Sequence, residues 1–129
     1  MTQTEMKART KQFALRVIKL VESLSNSKTA NVIGNQLLRS GTSVGANYRA
    51  ACRAKSTADF IKKLAIVEEE ADESMYWIEL WVESNQIKQN LVESLHKETD
   101  EILSIVVSAI KTTKEKRNPK SEFPNPKLI

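Results

Sequence analysis

Cysteine, histidine, proline and glycine are all scarce in this sequence, and each scarcity closes off a class of chemistry. Cys52 is the single cysteine and His96 the single histidine among 129 residues. An internal disulfide and a multi-thiolate zinc site are excluded, and Cys52, set among small residues, reads as a buried, unreactive thiol. One histidine also gives only one Glu-x-x-His unit, Glu93 to His96, where a di-iron bundle uses two together with further glutamates. The glycines, Gly34, Gly41 and Gly45, fit no phosphate-binding loop, dinucleotide fingerprint or nucleophile elbow. Aromatic residues make up 5% of the chain, which leaves little material for stacking on bases. These absences point away from an enzyme, and no catalytic residue, cofactor or metal is expected. No run of eighteen apolar residues could cross a membrane, and no basic, apolar, small-residue leader opens the sequence, so the expected compartment is the cytoplasm.

All three prolines lie in the last eleven residues, so nothing before Pro119 forces a break in a helical chain. The length suits one core. Apolar periodicity then predicts four helices. The first covers about Thr4 to Leu24, with Met6, Phe13, Val17, Leu20 and Leu24 on one stripe and Ala14, Ile18 and Val21 widening it. The second starts with Thr29 as N-cap and runs to about Ala54, turning Ile33, Leu37, Val44, Tyr48 and Ala51 inward. Ser56 and Asp59 resemble a capping box that opens the third, which carries Phe60, Leu64, Val67, Ala71, Met75, Ile78 and Val82 and ends near Asn85. Asn90 and Glu93 give a similar start to the fourth, with Leu91, Leu95, Ile102, Val106 and Ala109 inward to about Lys116. Short connections imply an all-α, antiparallel up-down-up-down bundle over residues 1–117. Residues 118–129, NPKSEFPNPKLI, form a Pro-containing tail expected to be extended or disordered.

The stretch from Gln36 to Trp81 joins a helix of small and polar residues to one rich in carboxylates. Gly41 and Gly45 each cost about 1 kcal/mol of helix propensity relative to Ala, a cost that close approach of another helix would explain. Folding the two helices about a turn near Lys55 brings Arg39 level with Asp72 and Glu73, Ser43 with Glu68 and Glu69, and Asn47 with Leu64 and Ala65. Arg39, Ser43, Asn47, Glu68, Glu69, Asp72 and Glu73 are therefore expected to form a structural polar network, with Arg39 paired inside the bundle. Such a network fixes registry rather than performing chemistry. Trp77 and Trp81 lie on neighbouring faces, and at least one is expected at a subunit interface.

Those same residues carry a resemblance. Arg39-Ser40, Ser43 and Asn47, then Lys55-Ser56 with Asp59-Phe60, and the glutamate-rich stretch before Trp77, resemble a bacterial family of four-helix bundles. The family is named for proteins encoded in intervening sequences of the large-subunit ribosomal RNA gene. It is similar in turn to accessory subunits of diversity-generating reverse transcriptases, which form homopentameric barrels and bind nucleic acid beside the polymerase. The resemblance implies a homo-oligomer, with a pentamer favoured, and a protein client such as a reverse transcriptase. One departure stands out: where many relatives read Asn, apolar, Ala, Glu, Gly, this chain has Asn47-Tyr48-Arg49-Ala50-Ala51.

Charge is distributed unevenly. Residues 1–67 hold twelve Lys and Arg against three acids, whereas residues 68–83 hold seven acids and no base. In an up-down-up-down bundle the start of helix one, the turn between helices two and three and the end of helix four share a pole. That pole would gather Lys7, Arg9, Lys11, Lys55, Lys62, Lys63, Lys111, Lys114, Lys116 and Arg117, with Arg49 and Arg53 beside them. These are the candidate contacts to RNA or DNA, made electrostatically and without sequence readout. The alternative is a protein-binding scaffold ring with no direct nucleic-acid contact, the cations then serving only to complement helix dipoles.

Overall fold

The computed structural model describes residues 1–24 and 26–117, all of it helix and short connection. The expected tail at 118–129 lies outside the described residues. Four helices follow in order, α1 (Gln3–Glu22), α2 (Lys28–Cys52), α3 (Thr57–Glu83) and α4 (Gln89–Arg117). None is long and apolar enough to cross a membrane.

Local chemistry sets the starts. Thr2 caps α1 through a reciprocal box: its hydroxyl accepts from Glu5 N at 3.1 Å while the Glu5 carboxylate accepts from Thr2 N at 2.8 Å. Ser27, not Thr29, caps α2, because its extended backbone brings the hydroxyl to 3.1 Å from Ala30 N. Ser56 caps α3 by accepting from Asp59 N at 3.1 Å. Asp is too short to return the bond to Ser56, so its carboxylate accepts instead from Lys55 N at 3.2 Å. The turn into α4 carries Asn85 at φ 63°, a left-handed conformation that asparagine tolerates better than most residues.

The core runs the length of the bundle. Phe13 and Val17 of α1, Leu37 and Val44 of α2, Leu64, Val67, Ile78 and Trp81 of α3 and Ile102 and Val106 of α4 are all fully or almost fully buried. Two stripes differ from expectation by a small rotation of the helix. In α3, Ile61, Ser74 and Trp81 take the innermost positions, and Phe60, Met75 and Val82 are only half-buried. In α4, Val92 is buried and Leu91 is 64% exposed, because the helix begins at Gln89 and turns Leu91 outward.

The glycines explain how closely α1 and α2 approach. A Cβ on Gly41 would meet Val17 Cγ2 at 3.0 Å, and one on Gly45 would meet the Thr10 carbonyl oxygen at 3.2 Å. Packing is most extensive between α2 and α3, and sparsest between α1 and α4. Partner numbers fall on one helix as they rise on the other: Ala30 meets Trp81, and Ser40 meets Ser74. Trp81 donates its indole N–H to the Ala30 carbonyl at 3.3 Å, so this large ring is buried without an orphaned donor.

Candidate nucleic-acid interface

The start of α1, the α2–α3 turn and the end of α4 do come together. Gln3, Ala51, Cys52, Lys55, Ser56, Phe60 and Thr113 line one shared cavity of about 340 Å³. Around this end Lys7, Lys11, Arg49, Arg53, Lys55, Lys62, Lys111, Lys114, Lys116 and Arg117 are exposed. Among the described residues, none of them has a carboxylate within 4.0 Å. Lys7, Lys11 and Arg49 also border a groove of about 540 Å³ between α1 and α2, floored by Ala8, Ala14, Gly45 and Ala46. Small residues there leave the cations standing above a shallow floor, a shape open to an extended polyanion.

Two expected members of the basic set are otherwise engaged. Arg9 Nε and Nη2 donate to the two oxygens of Glu98, each at 2.7 Å, and Nη2 also donates to Glu101 Oε1 at 2.7 Å. Arg9 thus clamps α1 to α4. Its bonds hold the Glu98 carboxyl below the ordinary value against the opposing pull of partial burial, and the same bonds to Glu98, followed by that to Glu101, push the guanidinium further up. Lys63 Nζ lies 2.8 and 2.7 Å from the two oxygens of Asp59, one turn back on α3. Asp59 is held low by Lys63 first and by the Lys55 N–H second.

The polar network between α2 and α3 is rearranged relative to expectation. Arg39 bonds Glu73, Glu70 Oε1 at 3.2 Å and Gln36 Oε1 at 3.3 Å, with its side chain 48% exposed. It is a surface bridge and not a buried pair. Asp72, the other expected partner, is turned outward beside Glu69, while Glu68 is half-buried without a cation among the described residues. Ser43 and Asn47 do not face acids: Ser43 Oγ donates to Arg39 O at 2.7 Å and Asn47 Nδ2 to Ser43 O at 2.9 Å, both within α2. A buried polar contact between the helices lies one step away, where the fully buried hydroxyls of Ser40 and Ser74 are 2.9 Å apart.

No curated protein matches this sequence. The family model of the 23S rRNA-intervening sequence protein matches residues 2–108, which takes in nearly all of the bundle. The chain belongs to that family. Among solved structures, the chain is similar to a protein of unknown function from the S23 ribosomal protein family of Bacteroides thetaiotaomicron. It is 40% identical, covers 86% of this chain and 99% of its own, and superposes with a TM-score of 0.80.

His96 Nε2 lies 2.8 Å from Glu79 Oε2 on α3, so its partner is across the interface and is not Glu93. The two line a cavity of about 290 Å³ with Glu83, Val92 and Glu93. Among the described residues no three His, Cys, Asp or Glu side chains converge as a metal site would require. Cys52 is half-buried beside Tyr48, whose phenol is pushed up to about 12, by burial first and by the nearby thiol second. Glu98 and Glu101, which decide what Arg9 does, carry no signal in the sequence, since their pairing depends on how α4 returns along α1.

Proposed function

We propose that this protein is a non-enzymatic, homo-oligomeric bundle that binds nucleic acid electrostatically through its basic end. It acts in the cytoplasm as an accessory factor to another protein, a nucleic-acid polymerase such as a reverse transcriptase being the client the family resemblance favours. The falling partner numbers across α2–α3 support an antiparallel up-down-up-down path, and the leading assembly is a homopentameric ring that repeats the basic end around a rim.

The observation carrying this reading is the set of cations at one end, none of which has a carboxylate within 4.0 Å among the described residues. Lys55, Lys62, Lys111, Lys114, Lys116 and Arg117 are exposed around the shared cavity. A cluster of uncompensated charge raises the local potential and condenses a polyanion without reading its bases. With Trp81 buried and few other aromatic rings in the chain, backbone charge, not base stacking, is the means of contact.

Reversing Lys62 and Lys114 to Glu tests the reading. Binding to unrelated RNA and DNA sequences should weaken alike, and the slope of log affinity against log salt should flatten by about one counterion for each phosphate the variant no longer neutralises. Exposed Leu91, 64% accessible, favours a second reading in which the bundle is a protein-binding scaffold alone. Failure of the wild type to bind any nucleic acid at low salt would select that second reading.

A further inference from the structure

The outer faces of α1 and α3 complement each other in charge and in apolar content, although the two helices do not pack side by side within one chain. On α1, Leu15 and Ile18 are 52% and 39% exposed and stand between exposed Lys11 and Lys19. On α3, Tyr76 is 55% exposed and meets Trp77 edge-on, ring centroids 5.0 Å apart at 72°. Glu69, Asp72, Glu79 and Glu83 share the face of α3 that carries Tyr76 and are exposed, Glu79 being paired with His96 of α4, and residues 68–83 hold no lysine or arginine. Single exposed apolar side chains are ordinary on soluble proteins. Glu22 lies one turn beyond Ile18, but Lys11 and Lys19 flank the α1 patch directly, and their charge complements the acids beside Tyr76.

The aromatic patch is also held rigid. Trp77 Nε1 donates to Glu73 Oε2 at 2.9 Å, and Glu73 is bonded in turn by Arg39 from α2. A side chain already fixed loses little freedom when a partner covers it, and Trp, Tyr and Arg are the residues that dominate interface energetics.

We propose that the outer face of α1 in one copy docks on the acidic, aromatic face of α3 in a second copy of this chain. This rests on the assembly half of the function proposed above and gives it surfaces. Leu15 and Ile18 cover Tyr76 and Trp77, while Lys11 and Lys19 meet the surrounding carboxylates. Lys11, one of the candidate phosphate contacts, is thereby assigned to the contact between copies, and the phosphate-binding set contracts to the cations around the α2–α3 turn and the end of α4.

A contact between two different patches is heterologous, so each copy offers one face to the copy before it and the other to the copy after it. A twofold dimer through α1 alone would bring Lys11 and Lys19 against their own kind. Lys11 and Trp77 lie on the sides that face α2, whereas Lys19 and Glu79 border α4.

The experiment is a charge exchange read by light scattering at micromolar concentration, with helical circular dichroism recorded on every variant. Lys11→Glu with Lys19→Glu should reduce the wild-type assembly to the 14.6 kDa monomer, and so should Glu69→Lys with Asp72→Lys. All four substitutions in one chain should restore the assembly, which a folding defect could not do. Lys62→Glu with Lys114→Glu should leave the mass unchanged. A wild-type assembly that survives both charge-reversed pairs overturns the interface but not the assembly. A monomeric wild type overturns both, and if its α3 face then binds a polylysine probe in a Tyr76-dependent way, that face belongs to a foreign basic partner.

Discussion

Arg9 lays its guanidinium fork against both oxygens of Glu98, on helices far apart in sequence, at 2.7 Å for each bond. The side chains are only 23% and 20% exposed, so the pair is screened less than a surface bridge.

Arg9→Ala should destabilise the bundle by about 1 to 3 kcal/mol, since it leaves a partly buried carboxylate without its charged donor. Chemical denaturation checks it. The same bridge gives an acid limb to stability: Glu98 has a lowered folded pKa, so its contribution is present above the ordinary carboxylate value and is lost as pH falls through the folded one. Glu98→Gln should flatten that limb.

Arg39→Ala should cost no more than about 1 kcal/mol, because its side chain is 48% exposed and its bonds to Glu70 and Glu73 compete with water and salt. A loss of several kcal/mol in the same denaturation assay would mean that the bridge is desolvated. The more informative readout is fluorescence of Trp77, whose indole N–H shares Glu73 with Arg39.

Gly41→Ala should destabilise despite the better helix propensity of alanine. The new methyl would meet Val17 Cγ2 and Cγ1 at 3.0 and 3.1 Å, and Val17 is fully buried with no room to retreat. Overpacking of this kind costs about 1 to 3 kcal/mol, against a gain of about 1 from propensity. Thermal unfolding of the variant should therefore come at a lower temperature than that of the parent.

Tyr48 gives the alkaline limb. Its folded pKa is raised to about 12, so the stability it contributes is present below the unfolded value of about 10 and is lost as pH rises from there to about 12. Tyr48→Phe should reduce the steepness of unfolding over that window, measured by circular dichroism against pH.

Reversal of Lys62 and Lys114 to Glu should weaken nucleic-acid binding at low salt with little change in stability, because solvated lysines away from the core usually contribute within about 0.5 kcal/mol. Retention on a nucleic-acid matrix, eluted with a salt gradient, measures it.

Periodicity makes the four helices legible, along with the inward roles of Phe13, Val17, Leu37, Val44, Leu64 and Ile102 and the Ser56 cap. It fails where a small rotation decides the answer. Leu91 and Val92 are adjacent apolar residues, and only the actual start of α4 says which one is buried. Residues 39 and 73 are rightly matched by counting from the turn, but matching levels along two helices says nothing about which side of the seam a long side chain leaves by, and Arg39 leaves outward. The Ser40–Ser74 contact is invisible in the sequence because two serines carry no charge pattern. For the basic end, sequence order locates the cations, while the diversion of Arg9 to Glu98 and of Lys63 to Asp59 needs side-chain geometry.

The uneven packing among the helices has a kinetic meaning. Helix α2 meets α3, its neighbour in the chain, along the most extensive seam, and α1 meets α4 along the sparsest. Local contacts form early because little loop entropy opposes them, whereas closure of the first helix on the last must await the rest. The α2–α3 hairpin should therefore appear first during refolding, and the α1–α4 seam, fastened by Arg9, should close last and be the first to open. Amide protons of α1 and α4 would then exchange through partial openings that leave those of Leu37, Val44 and Leu64 protected up to global unfolding.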